Sequence, residues 1–414
     1  MHSLTIKSIL GGLAILLAVL ACSMGSSATP TITAATDTAT PVIPSATATA
    51  SPIPATATVP AATATASPIP PTLTATIPPL PTVSSPSIQL LDMLDANNGW
   101  ALTNNKVVRT TDGGSTWYNC TPAGLNGTPA NAFFLNTSTA WVAVMGTNPT
   151  TGTLYRTIDG GFSWKSAAVP FGGGSLKFVD AMHGWELIGL NAGMSHESVA
   201  IFRSGDGGAT WSRVFINDPG APGASDSLPL AGDKNGITAL NANRGWVTGS
   251  QPSSDFIYVY ITQDGGTTWA HQNLTIPSGY SGAMTGASLP VFFGTNDGVL
   301  PVLLFANNNG TDFYVSQDGG QTWKVTTPLA QGGFLAVGSA SDFFVWDGSA
   351  QLNISHNAGA SWSTVKPNIN IKNNMISMQF VNASTGWALT SDANNHSVLY
   401  KTTNGGVTWN VLVQ

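Results

Sequence analysis

The feature that most restricts this chain is an eight-residue box that occurs seven times. It reads TTDGGSTW at Thr110–Trp117, TIDGGFSW at Thr157–Trp164, SGDGGATW at Ser204–Trp211, TQDGGTTW at Thr262–Trp269 and SQDGGQTW at Ser316–Trp323. Two weaker copies close the series, SHNAGASW at Ser355–Trp362 and TTNGGVTW at Thr402–Trp409. A second motif precedes each box: an apolar alternation, then Asn or Asp, a turn, and Gly-Trp. It is clear in DANNGW (Asp95–Trp100), DAMHGW (Asp180–Trp185), NANRGW (Asn241–Trp246) and NASTGW (Asn382–Trp387). NTSTAW (Asn136–Trp141) is close, while GTNDGV (Gly294–Val299) and GSASDF (Gly338–Phe343) are degenerate.

A unit repeated at fixed period cannot bury its apolar face alone and must stack on its neighbours. Each unit predicts four short strands. Strand A is the alternation, such as Ile88–Leu91. Strand B begins at the Gly-Trp. Strand C runs into the box, as at Lys106–Arg109, and strand D begins at the box Trp. Shared over residues 87–414, the units are about 47 residues long, the length of a four-stranded blade. Blades packed radially bury both faces of each sheet and leave short edges. The sequence therefore predicts an all-β, seven-bladed β-propeller of four-stranded antiparallel blades. The first and last blades each own four strands, with no strand exchanged to close the ring.

The box aspartate admits three readings: metal ligand, catalytic acid or turn-former. A short Asp side chain accepts backbone N–H bonds within its own turn. The glycines admit positive φ, and the Trp can fold under the turn to pack between blades. The last two copies carry Asn357 and Asn404. Asn keeps an acceptor oxygen but is neither an acid nor a charged ligand. Asp112, Asp159, Asp206, Asp264 and Asp318, with Asn357 and Asn404, are therefore read as structural. They seat Trp117, Trp164, Trp211, Trp269, Trp323, Trp362 and Trp409. One carboxylate per box is a poor calcium site. No metal or cofactor is expected. His183, His196, His271, His356 and His396 are scattered without ligand spacing, and no phosphate-binding loop, dinucleotide fingerprint or nucleophile elbow occurs.

Because neighbouring strands run antiparallel, the A–B turns and the boxes share one face of the disc. The B–C and D–A connections share the other, and they vary. The B–C loops are read at Thr147–Gly152, Asn191–Ser198, Gln251–Asp255, Asn307–Asp312 and Asp392–Ser397, and the longest D–A connection at Asp218–Asn235. Variable loops on a rigid scaffold are where ligands bind, so the expected site lies on this second face, around blades three and four. Asp218, Asp226 and Asp233 lie in the long connection; they are either solvated loop residues or the carboxylates of a glycan-cleaving site. On the opposite face, Arg109, Arg156, Arg203 and Lys401 stand just before four of the boxes. They form either a basic arc for an acidic partner or cations packed along their own blades.

Composition supports this plan. Only 8% of the 414 residues are charged, and the chain holds 45 Gly, 26 Pro and 13 Trp, which suits a turn-rich β protein. A net charge of −6 leaves no footprint for nucleic acid. The first residues supply Lys7, an apolar run Ile9–Leu20, and Val19-Leu20-Ala21-Cys22. The run is short for a transmembrane span, and its end resembles the lipobox of bacterial lipoproteins. That resemblance implies cleavage before Cys22, its lipidation, and an extracytoplasmic protein held at the membrane by its acyl anchor only; an ordinary signal peptide is the alternative. Cys120 is then left as a small buried hydrophobe. Residues 22–86, rich in Thr, Pro and Ala with ATATASPIP occurring twice, read as a disordered, extended stalk. The domains are thus 1–21, 22–86 and 87–414.

The boxes match the Asp-box (BNR) pattern of sialidases, sortilin-type receptors and related propellers. A sialidase brings several arginines onto a carboxylate and uses a Tyr–Glu nucleophile pair. Here the five Arg (109, 156, 203, 213, 244) map to the box half, only Glu186 and Glu197 are present, and no Phe/Tyr-Arg-Ile-Pro segment occurs. Gly-Trp followed by Thr-x-Asp-Gly-Gly-x-Thr-Trp, with basic residues before the box, most resembles the photosystem II stability/assembly factor family. The resemblance implies a non-catalytic propeller that binds a protein partner; the long stalk is a departure from that family. The leading expectation is a tethered, monomeric binding module for protein or glycan. The alternative is a secreted glycoside hydrolase of the Asp-box type.

Overall fold

The computed structural model describes residues 79–148, 150–306 and 308–413. The expected leader, Cys22 and most of the expected stalk lie outside the described residues. Among the described residues there is no helix, and the strands form antiparallel sheets. The first sheet holds Ile88–Met93, Gly99–Thr103, Val107–Thr110 and Trp117–Asn119, with Thr82–Val83 added beyond the last. The second holds Pro129–Phe134, Ala140–Met145, Gly152–Thr157 and Lys165–Val169, and the third Ser175–Phe178, Gly184–Gly193, His196–Ser204 and Ser212–Ile216. A nine-stranded sheet spans Asp233–Ala239 to Lys324–Val325. Its halves, 233–271 and 284–325, are joined through the single pair Ser250–Gly286. Two four-stranded sheets follow, Phe334–Val337 to Ser363–Val365 and Met375–Phe380 to Asn410–Val413.

Strands such as Gly99–Thr103 are buried along their whole length, because each face meets a different neighbouring sheet. The contacts are aromatic and flat. Trp141 of the second sheet stacks on Phe178 of the third with centroids 3.6 Å apart, and Phe344 stacks on Phe380 at 3.6 Å. The tryptophans of the Gly-Trp motifs, Trp100, Trp141, Trp185, Trp246 and Trp387, are buried to within 1%. Trp387, Leu389 and Leu399 of the last sheet pack with Ile88, Met93, Ala101, Val108 and Trp117 of the first, so the series closes on itself.

First strands of neighbouring sheets, and of the two halves of the nine-stranded sheet, are laced side by side. Asn131 Nδ2 donates to the Gly174 carbonyl at 2.8 Å, Ile237 N–H to Ser175 Oγ at 3.0 Å and Asn235 Nδ2 to the Ala287 carbonyl at 2.8 Å. Gln379 clasps the Met93 backbone, accepting its N–H at 2.8 Å and donating to its carbonyl at 3.0 Å. Lys177 Nζ, from the third sheet, lies 4.7 Å over the Phe133 ring of the second and interacts electrostatically with Asp92 of the first.

Four features depart from the sequence-based plan. The boundary expected between residues 86 and 87 falls too late, because Thr82–Val83 already pairs with Trp117–Asn119; a strand this short carries no periodicity to read. Asn191–Ser198 is not a loop: Asn191 pairs Ser198, Ala192 pairs Glu197 and Gly193 pairs His196, leaving a turn in which Met194 and Ser195 hold φ of 52° and 60°. In the degenerate fifth unit the first strand is split into Met284–Ala287 and Val291–Phe293. Pro290 stands between them, where its missing N–H interrupts the ladder. The fourth strand starts at the box Trp only in the first sheet, at Trp117; in the others it starts one residue later.

Candidate functional site

The box face is built by a local clasp. In the first box, Thr110 Oγ1 accepts the Gly114 N–H at 2.9 Å, and Asp112 Oδ1 accepts the Thr116 N–H at 2.8 Å and the Thr110 hydroxyl at 2.9 Å. Gly113 and Gly114 hold φ of 74° and 96°, which only glycine adopts without strain. Gly113 N–H then donates to the Asn97 carbonyl at 2.7 Å, tying box to A–B turn. The copies with Asn reverse one bond. Thr210 Oγ1 donates to Asp206 Oδ2 at 2.6 Å, whereas Asn404 Nδ2 donates to Thr408 Oγ1 at 2.9 Å. The hydroxyl serves as donor or acceptor, so both side chains fit. For Asp206, the Thr210 hydroxyl, then backbone and Ser204 bonds, outweigh its slight burial and bring the carboxyl to about 2. In Asp318, burial opposes bonds from Thr322 and Ser316, which still bring it to about 2.

Each box Trp lies in a cluster between sheets. Trp117 is 1% exposed, and Trp164 reaches back to donate to the Cys120 carbonyl at 2.8 Å. Cys120 is buried, which pushes its thiol up to about 12. The four cations before the boxes are half-buried and bridge sheets. Arg109 Nη1 donates to the Gly160 carbonyl at 2.7 Å, Arg156 Nη2 to Ala181 at 2.9 Å, Arg203 Nη1 to Gly265 at 2.8 Å and Lys401 Nζ to Ala96 at 3.1 Å. Each acceptor belongs to the next sheet round. The same cations lie over Phe162, Trp141, Trp185 and Trp387.

On the opposite face a cleft of about 350 Å³ opens between the third sheet and the 233–271 half. Its wall is the hairpin of Gly184–Gly193 and His196–Ser204, and its lining includes Gly174, Gly189 and Gly236, with Leu187, Leu190, Asn191 and Asn235. Main chain is bare at the three glycines. Bulges at Gly189/Asn191 and Lys234/Gly236 interrupt both strands here. Glu197 and Lys234 supply the charge. Glu197 Oε2 accepts the Lys234 N–H at 2.7 Å. Lys234 Nζ donates to the carbonyls of Glu197, Leu230, Ala231 and Gly232 at 2.9–3.3 Å. Burial brings this ammonium down to about 8 against the pull of Glu197 and Asp233. The long 218–232 connection props the hairpin: Gly232 N–H donates to the Ser195 carbonyl and Glu197 N–H to the Leu230 carbonyl, both at 2.8 Å.

Glu186 lies behind the same cleft. It is fully buried, and among the described residues neither carboxyl oxygen has a hydrogen-bond partner. Burial pushes its pKa well above the ordinary carboxylate range. Both glutamates of the chain belong to the third sheet, Glu197 in the cleft lining and Glu186 buried against Gly174. Asp218 accepts the Gly220 N–H at 3.0 Å within its own turn, and Asp226 and Asp233 are exposed. Sequence reasoning singled out neither Glu186 nor Glu197 as a site residue, nor Lys234. A signal existed for Glu186: the residue after the Trp position is Ala101, Val142, Val247, Leu300, Phe344 or Ala388 in the other units. Three histidines pair with aspartates inside or between turns, His183 with Asp180, His356 with Asp342 and His396 with Asp392. Among the described residues no group of three or more metal-ligating side chains is gathered.

Sheets that each carry boxes and pack in series back onto the first define a β-propeller of the Asp-box, or BNR, type. The BNR/Asp-box repeat family matches residues 314–325. No curated protein matches the sequence. Among solved structures, a GH74 xyloglucanase from Xanthomonas campestris is similar at 13% identity and a TM-score of 0.51, over 81% of this chain and 56% of that one. This chain thus spans a little over half of that enzyme. An oligogalacturonate lyase from Vibrio parahaemolyticus is similar at 9% identity and a TM-score of 0.51, over 78% and 91%. YCF48 bound to D1 peptide is similar at 19% identity and a TM-score of 0.49, over 79% and 94%. At these identities the likeness to the xyloglucanase and the lyase is one of fold.

Proposed function

We propose that this chain is a seven-bladed Asp-box propeller acting as a non-catalytic binding module, and that an extended polypeptide segment lies in the cleft between the third and fourth blades. The count of seven rests on one box for each run of four strands and on the packing of the last run against the first. The three glycines and two strand bulges that line the cleft support the binding reading. Glycines and strand bulges leave backbone groups within reach of a second backbone, which is how an added strand gains affinity. Asn191 and Asn235 at the rim add neutral donors and acceptors. The lining holds no aromatic ring, the platform on which a sugar face stacks best. On this reading the propeller stands outside the cytoplasm, held at the membrane through Cys22, because Val19-Leu20-Ala21-Cys22 resembles a lipobox.

A glycoside hydrolase is the second reading, and the two glutamates favour it: an acid whose pKa burial raises lies behind the cleft and a second carboxylate stands on its wall, and such hydrolysis uses two carboxyl groups. Selection of a phage-displayed random peptide library against the full chain separates the two. Extended peptides should be recovered, and Ala192→Trp, which fills the cleft from its exposed rim, should abolish their binding. Release of reducing sugar from a polysaccharide panel, lost in Glu197→Gln, would replace the binding reading with the hydrolase.

A further inference from the structure

Glu186 is a buried acid that the cleft's own lining leaves unused. Six other units place an apolar residue at its position, and an unpaired polar group in such a place costs stability. The carboxyl is separated from the cleft by one residue. Gly174 lines the cleft, and a side chain there would begin 2.5 Å from Glu186 Oε1 and would also strike the Leu187 carbonyl. Glycine at 174 therefore lets the carboxyl pack directly against the main chain that lines the cleft, where a side chain would push it away. We propose that Glu186 is an acidic determinant of the cleft, selecting peptide segments that bring an ammonium or guanidinium group to its Gly174 edge.

The inference rests on the cleft being a peptide site. A cation at Gly174 turns an unsatisfied acid into one partner of a charge-assisted bond. As the cation enters, the Glu186 O–H bond breaks and its proton passes to solvent, while the ligand keeps its charge. No neighbouring group already does this. From Ser175–Phe178 comes Lys177, over Phe133. From His196–Ser204 come His196, Glu197 and Arg203, the last over Trp185. From Asp233–Ala239 come the exposed Asp233 and Lys234, whose ammonium is held by carbonyls. On the far side, Pro129–Phe134 and Ala140–Met145 carry no charged residue, and Gly152–Thr157 brings Arg156, held by the Ala181 carbonyl over Trp141.

The test is calorimetric titration of the full chain with the acetylated, amidated pentapeptide Gly-Gly-Lys-Gly-Gly and its norleucine counterpart, in two buffers of different ionisation enthalpy. The lysine peptide should bind about ten-fold tighter and release about one proton, with loss of the carboxylic-acid infrared band of Glu186. Glu186→Gln, an isostere, should bind both peptides alike and release no proton. Equal binding of both peptides by the wild type, or the same proton release from Glu186→Gln, overturns this inference and leaves the peptide site standing. Failure of both peptides to bind overturns the peptide site and this inference with it.

Discussion

At the scale of the residue, the box shows how one geometry accommodates two charge states. Asp206 accepts from Thr210, Asn404 donates to Thr408, and the backbone bonds are the same. The difference is then a matter of pH. The folded pKa of Asp206, about 2, lies below the ordinary value of about 3.9. Its contribution to stability is present above the ordinary value and is lost as pH falls towards 2. Asp206→Asn should therefore melt slightly below wild type at pH 7, with the gap closing in melts taken towards pH 2. Asp206→Ala should melt lower at every pH, because the turn loses its acceptor. The opposite sign holds at Asp312, which is fully buried. Its Oδ1 accepts the Thr326 hydroxyl at 2.6 Å and the Phe313 N–H at 2.7 Å, while Oδ2 has no partner. Burial raises its pKa over the lowering effect of these bonds. A raised acid stabilises below the ordinary carboxylate pKa and loses that contribution as pH rises through the folded value. Asp312→Asn should raise the melting temperature by a few degrees at pH 7 and change little at pH 4. A lower melting temperature at pH 7 would contradict this assignment.

At the scale of the element, the cations before the boxes act as ties between sheets. Arg203 is the strongest case, with a 2.8 Å bond to the Gly265 carbonyl and its guanidinium 4.1 Å from the Trp185 ring. Arg203→Met keeps the stem but removes both interactions, and should lower unfolding stability in urea by about 1–3 kcal/mol. A change within about 0.5 kcal/mol would assign the residue to the surface. Much of this level was legible in the sequence. The boxes located the third strand and the turn, and Gly-Trp located the second, because both motifs are fixed by local turn chemistry. The third-sheet hairpin was misread because Asn, Gly, Ser and His between apolar runs look like a loop, while the pairing there comes from main chain. The side of the cleft was legible from the length of the 218–235 connection. Its contents were mostly not: the carbonyls that hold Lys234 converge only once that connection folds over the hairpin, and while the odd Glu186 stands out when the units are laid against one another, its lack of a partner shows only in the packed sheets.

At the scale of the whole molecule, the seam between last and first sheets holds the ring. Gln379 clasps Met93, Trp387 Nε1 donates to the Gly113 carbonyl at 3.0 Å and Lys401 reaches Ala96. Because each sheet buries its faces only against its neighbours, opening this seam exposes two of them at once. Truncation after Trp409 removes the strand Asn410–Val413, which pairs with Ser397–Thr402. It should convert a single cooperative melt into a broad, low-temperature one by calorimetry, whereas an unchanged transition would mean that the ring tolerates an open edge.

The seam also fixes an order of events. Gln379 and Met93 are 286 residues apart in the chain, so the first sheet is complete long before its partner has been made. Until then the face carrying Ile88, Met93 and Trp117 has nothing to rest against. Contacts at such separation require the largest loss of chain freedom before they return any burial. Closing the seam therefore closes a very long loop of chain, and synthesis begins with an apolar face open and ends by covering it.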